Sequence, residues 1–266
     1  MIQNIHGNII TDSELFPNIA PEIIVPLTRF IARDIDRKTH IPDVEKVVII
    51  PSEDSVCKCY WMPSPNGGNG RYHVIQMWVD DTDITTKTMQ WIQVFAHEYM
   101  HHAIDREEKY SAPHPLVWFD ETLCQVSSIC VAYDIYRDLG ISKNSELHWM
   151  KGDRDSLRRI IEFPEQIVRD HPLANKVAKS IRNGEGIRRF FPFPEEGQDL
   201  ALCSIAIASC IGIPFWRNQN LWKIVPHVNE IPFDADIQSL FYHLKMTADS
   251  SYADSLDKLI NILLPC

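Results

Sequence analysis

Several features that would narrow the function of this chain at once are missing from it. The N-terminus, MIQNIHGNIITDSELF, has no basic stretch leading into an apolar run, which reads against a secretory leader and for a cytoplasmic protein. No window of about 18 apolar residues without charge is evident, so no membrane span is expected. A cationic surplus is absent too. The 26 Lys and Arg against 36 Asp and Glu leave a net charge of −10, and nucleic-acid binding needs clustered Lys and Arg on the phosphates. The negative charge reads as solubility rather than as a preference for basic substrates. Internal repeats and low-complexity stretches are lacking. Seven cysteines, an odd number, several in apolar helical segments, point to free thiols in a reducing compartment and away from a disulfide framework.

What is present is an ordinary globular composition, 45% hydrophobic and 23% charged over 266 residues, enough for one large domain or two packed lobes. Pro21 to Asp36 has mixed helical periodicity, with Pro26 interrupting its start. Lys46 to Pro51 (KVVIIP) reads as a buried strand, Met62 to Gly70 as a Pro- and Gly-rich loop, and Arg71 to Val79 as a second strand. From Thr86 to Asp105, apolar residues recur at helical spacing. Arg106 to Ser111 is a polar link. Pro115 to Leu139 reads as a long helix with Pro in its first turn and Gly140 just past its end. Further helices are expected over Ser156 to Glu162, Leu173 to Asn183, Leu200 to Cys210, Asp236 to Met246 and Tyr252 to Leu264. Phe190 to Pro194 and Ile213 to Trp216 read as connectors. Strands before residue 80 and helices after it predict an α+β fold, with an N-terminal α/β lobe over 1–110 and a helical lobe over 111–266.

The chemistry concentrates in His97-Glu98-Tyr99-Met100-His101, an HExxH motif. On a helix, residues four apart project from nearly the same face, so the two imidazoles converge on one point, as tetrahedral zinc requires. Glu98 stands about 100° round from His97. That is poor placement for a ligand and good placement for reaching a water near the metal. The bland alternative, a surface helix with two solvated histidines, fits badly with so apolar a helix.

HEYMHH followed by Trp118-Phe119-Asp120-Glu121 resembles the gluzincin branch of zinc peptidases, which includes thermolysin and related aminopeptidases. The resemblance covers Arg71 to Tyr136. It implies Glu121, twenty residues after His101, as the third zinc ligand from the next helix, with an aromatic residue, here Trp118, three positions before it. It also implies a zincin-like fold: a small mixed sheet whose edge strand, Arg71 to Val79, runs along the cleft, an active-site helix beneath it, and a mainly helical lobe carrying the glutamate. Such an edge could hold an extended peptide by main-chain hydrogen bonds. Three departures stand out. Thr122 follows the glutamate where Gly is common. Gln125 occupies the place of an Asp that bonds the first His, and a neutral acceptor raises imidazole basicity less. No Tyr or His falls at the usual oxyanion position, near 183–188; His114, Tyr133, Tyr136, His171 and Arg188 remain as candidates.

Other residues carry competing readings. Asp120 is the alternative third ligand, about 100° from Glu121 on the helix, and His114 is a further one. His102 lies off the ligand face as a solvated or supporting residue. Cys57 and Cys59 complete no metal-binding pattern; a strand would put both on one face, buried. Peptide deformylases pair a Cys with HExxH at a similar separation, but their other signatures are missing. Asp80, Asp81 and Asp83 read as a helix-starting turn rather than a calcium loop. Arg188-Arg189 reads as a solvated pair before a carboxylate clamp. The expected function is hydrolysis of a peptide or protein amide bond, with Zn2+ on His97, His101 and Glu121 and with Glu98 as base. The alternative is a zincin-like binding module or pseudoenzyme without turnover.

Overall fold

The computed structural model describes residues 2–6, 9–12, 16, 20–40, 46–52, 57–63, 71–79, 83–104, 116–141, 146–194, 196–232 and 235–265. His114, Asp80, Asp81 and the polar link over 106–111 lie outside them. The elements in order are β1 (Ile2–His6), β2 (Ile9–Asp12), α1 (Pro21–Thr39), β3 (Lys46–Pro51), β4 (Lys58–Pro63), β5 (Arg71–Met77), α2 (Ile84–Ile104), α3 (Val117–Ile141), α4 (Arg154–Asp170), α5 (Pro172–Arg182), α6 (Gly197–Arg217), α7 (Val225–Val228), α8 (Ile237–Thr247) and α9 (Ala253–Leu263). The α+β class holds, with strands first and helices after.

Internal contacts divide the chain into two compact units, 1–103 with 127–161, and 104–126 with 162–266. This differs from a single cut near residue 110. The reason lies in α3: Ser127 and Ser128 donate to the Ala96 and Gln93 carbonyls of α2, at 3.2 and 2.7 Å, which binds the second half of that helix to the elements before it.

The first unit is built on a five-stranded sheet of order β1-β2-β3-β5-β4. β1 and β2 are antiparallel, β2–β3 and β3–β5 are parallel, and β4 runs antiparallel to β5 with Lys58 opposite Gln76 and Pro63 opposite Arg71. β5 therefore lies inside the sheet, and β4 is the edge. This corrects the expected edge strand over Arg71 to Val79. β3 buries Val47 and Ile49 on one face, while β5 buries Val74, Ile75 and Met77. Helix α1 buries Ile24, Leu27, Ile31 and Ile35 at helical spacing and continues through Pro26. It is tied to α2 by Trp91 Nε1 donating to Thr28 Oγ1 and Tyr99 Oη to Asp36, both at 3.0 Å. Asp83 caps α2 by accepting the Thr86 amide at 3.1 Å, as a helix-starting turn requires.

In the second unit, Trp118 packs with Phe191 and Phe193, and Phe119 with Phe241. Ser204 of α6 donates to the Trp118 carbonyl at 3.3 Å. Helix α6 runs on through Pro214, so Ile213 to Trp216 is helix rather than a connector. It is long and apolar enough to cross a membrane by length and composition. That corrects the expectation that no stretch is, while 56% of its most apolar window is buried inside the molecule. Helix α4 likewise continues through Pro164, and α3 includes Gly140 and ends at Ile141.

Candidate metal centre

Helix α2 exists because its apolar residues recur every three to four positions. Trp91, Ile92, Phe95, Ala96, Tyr99, Met100 and Ala103 are all buried. The half-buried stripe beside them carries His97 and His101. Their Nε2 atoms stand 3.2 Å apart, and the rings meet edge to face with centroids 4.9 Å apart. Two nitrogens bound to one zinc at about 2.0–2.1 Å each stand roughly 3.3 Å apart at the tetrahedral angle. The pair thus already has the bite of a chelate.

The Cys124 thiol belongs to the same unbroken helix as Ser127 and Ser128, one turn back. Its Sγ forms, with one ring nitrogen each from His97 and His101, a group whose atoms all lie within 4.8 Å of one another. Two imidazoles and a thiol are a fitting donor set for zinc or another borderline-soft metal. Glu121 stands on α3 one turn before Cys124, half-buried, and Asp120 beside it is buried; neither belongs to this three-residue group. Cys124 is the donor that sequence reading missed. Its only signal is its place three residues after Glu121, on the same face of α3.

Glu98 is the unusual group. It is 7% exposed, yet it makes no hydrogen bond or ion pair among the described residues. Its carboxylate oxygens are not among the fully buried atoms left without a partner, so the head group is open to solvent or a ligand while the rest of the side chain is packed. Nothing in the packing of α2 calls for a carboxylate at that position.

The weaker candidates separate by distance. Tyr133 and Tyr136 lie nine and twelve residues beyond Cys124 on α3, about 13 and 18 Å along the helix axis. Tyr136 is engaged there with the Arg154 guanidinium, 4.2 Å from its ring centroid. The structure therefore does not bring Tyr136 to the histidines. Gln125 is half-buried beside Cys124. His102 is not solvated. It is buried and hydrogen-bonded through Nδ1 to Nδ1 of His73 on β5, with ring centroids 4.5 Å apart. One ring must donate and the other accept, so the pair fastens β5 to the turn of α2 that carries His101. Cys57 precedes β4 and accepts the Trp78 amide at 3.2 Å. Cys57 and Cys59 are half-buried rather than buried, and the six described cysteines are all free thiols.

Comparison with known proteins returns no match: no family model, no curated protein and no solved structure matches the chain.

Proposed function

We propose that the chain is a zinc-dependent hydrolase acting on peptide or protein amide bonds, with a zincin-like catalytic unit of the gluzincin type. The observation that carries this is Glu98: a nearly buried carboxylate with no partner among the described residues, immediately after the first of two histidines whose nitrogens are spaced for one metal ion. His97 and His101 hold the metal from α2. Glu121 completes the set from α3 by the spacing of the motif, and Cys124 is the competing donor. A bound zinc supplies a Lewis acid for the scissile carbonyl and lowers the pKa of water. Glu98 removes a proton from the attacking water and delivers it to the leaving amine. The open edge of the sheet, β4, is where an extended substrate would add a strand.

The test is Glu98→Gln, which keeps shape and removes the base. Zinc content should stay near one per chain. Turnover, followed as new N-termini in a treated lysate, should fall by about 10²- to 10⁴-fold, the usual size of general-base catalysis. If the variant keeps full biological activity while His97→Ala loses it, the metal is structural and the chain is a binding module.

A further inference from the structure

We propose that the groove between α1 and the C-terminal half of α3, away from the metal centre, is a binding site for a small phosphomonoester with an apolar body. The groove encloses about 420 Å³, within the range of small-molecule sites. Arg33 and Arg37 enter it from α1, and Arg137 from α3, with Phe30 and Ile141 as its apolar wall.

Its floor is a chain of hydrogen bonds and ion pairs, in which the last link, Arg137 to Asp134, is ionic alone. The buried Lys38 donates to Asp34 of its own helix and to Asp134 of α3. Arg37 then contacts the other oxygen of Asp34 at 2.6 Å, and Arg137 the other oxygen of Asp134 at 2.7 Å. Two guanidinium groups from two helices are thereby held at one cavity by a lysine fixed in the core. Holding recognition groups in place beforehand removes ordering cost from binding.

Those arginines are not used up by the pairing. Each guanidinium carries five N–H donors. Arg37 and Arg137 each contact one carboxylate oxygen, and Arg33 contacts Glu146 through one nitrogen at 3.2 Å. All three side chains are roughly half-exposed. The lining itself is close to balanced, three cations against four carboxylates. With Arg29 and Lys38, which pair with the same acids, five cations (29, 33, 37, 38, 137) meet four carboxylates (34, 134, 138, 146). The whole chain has ten more acids than bases. Guanidinium forks match phosphate oxygens. Ile141, 76% exposed at the rim, supplies apolar surface that a phosphate alone would leave in water.

The probe is phenyl phosphate, titrated calorimetrically at low salt against the metal-loaded protein, with inorganic phosphate alongside. Phenyl phosphate should bind saturably at one site, at roughly millimolar affinity or tighter, and more tightly than inorganic phosphate. Arg37→Gln with Arg137→Gln should weaken it by at least about tenfold, through the loss of charge-assisted bonds. Ile141→Asp, at an exposed position that folding does not require, should erase the preference for phenyl phosphate. Circular dichroism establishes that each variant is folded. Absence of saturable binding, unchanged affinity in the arginine double variant, or equal affinity of the wild type for the two probes would each overturn the proposal. None of these readouts depends on hydrolysis at Glu98.

Discussion

Two sets of buried charges lie in the same unit of this molecule, and they are treated in opposite ways. Between α1 and α3, Lys38, Asp34 and Asp134 are all nearly inaccessible, and every one is paired. On α2, Glu98 is somewhat less withdrawn, 7% exposed, and is paired with nothing among the described residues. Burial alone therefore does not distinguish the two sets; ionic pairing does. The ionic cluster ties two helices together at a cost of desolvation that its own bonds offset. Glu98 has no such ionic partner among the described residues, which leaves its carboxylate available to a ligand.

The comparison breaks most easily at the histidines. If the α2 stripe is a metal site, the purified protein holds about one zinc per chain, and either His97→Ala or His101→Ala abolishes it while the α1–α3 cluster and the fold persist. Metal analysis finding zinc retained in both variants removes the site, and with it the reason for Glu98 to stand alone.

The next test falls on the paired set. Lys38→Met leaves Asp34 and Asp134 facing each other in the core with no cation between them. Breaking a buried ion pair by removing one partner costs about 3–5 kcal/mol, to be read from urea midpoints at neutral pH. Burial alone would pull Lys38 down, but the charges of Asp34 and Asp134 override it and hold the ammonium above its usual 10.5. A raised lysine contributes stability that is complete below its ordinary value and is lost as the pH rises through the folded one. The wild type should therefore lose an increment of stability at strongly alkaline pH that the Met variant has already lost. A Lys38→Met protein as stable as the wild type would show the cluster to be incidental.

A third comparison ranks the donors on α3. Chelator competition should show zinc affinity falling more for Glu121→Ala than for Cys124→Ser, and not at all for Asp120→Asn. Reversal of the first two assigns the third ligand to the thiolate and turns the site into a His₂Cys centre. A dominant effect of Asp120 would instead place the aspartate on the metal.

How much of this was legible follows how local each feature is. HExxH could be read because its spacing is fixed by one helix, and so could the cap at Asp83 and the KVVIIP strand. β4 was missed. Its residues, KCYWMP, carry no clear alternation, and pairing with β5 makes them a strand. β1 and β2 were likewise unread. A proline misled in the other direction: Ile213 to Trp216, with Pro214, reads as a connector, yet α6 runs through it, and α4 runs on past Glu162 through Pro164. Within the site, Cys124 escaped notice because its partners lie 23 and 27 residues away on another helix. The His73–His102 bond spans 29 positions and Lys38–Asp134 spans 96. Such meetings are set by tertiary packing, to which residue spacing gives no guide.

The smallest expected effect is the one that most directly tests the contrast. In metal-free protein, Glu98→Gln replaces the carboxylate of a largely buried side chain, without a partner among the described residues, by an amide of nearly the same shape. A neutral amide costs less to bury than a charge, so the variant should be more stable than the wild type, by about 1 kcal/mol, the common scale of such single gains. Asp134→Asn makes the same chemical change in the paired set and should go the other way, because it weakens the bonds to Lys38 and Arg137. Two isosteric acid-to-amide changes would then have opposite signs within one unit. Thermal unfolding of both variants after chelation measures this. If Glu98→Gln destabilises as Asp134→Asn does, Glu98 holds structure rather than reactivity. Opposite signs mark a residue whose presence lowers stability and whose retention calls for a chemical reason, and removal of a proton from the attacking water is the reason its place on α2 supports.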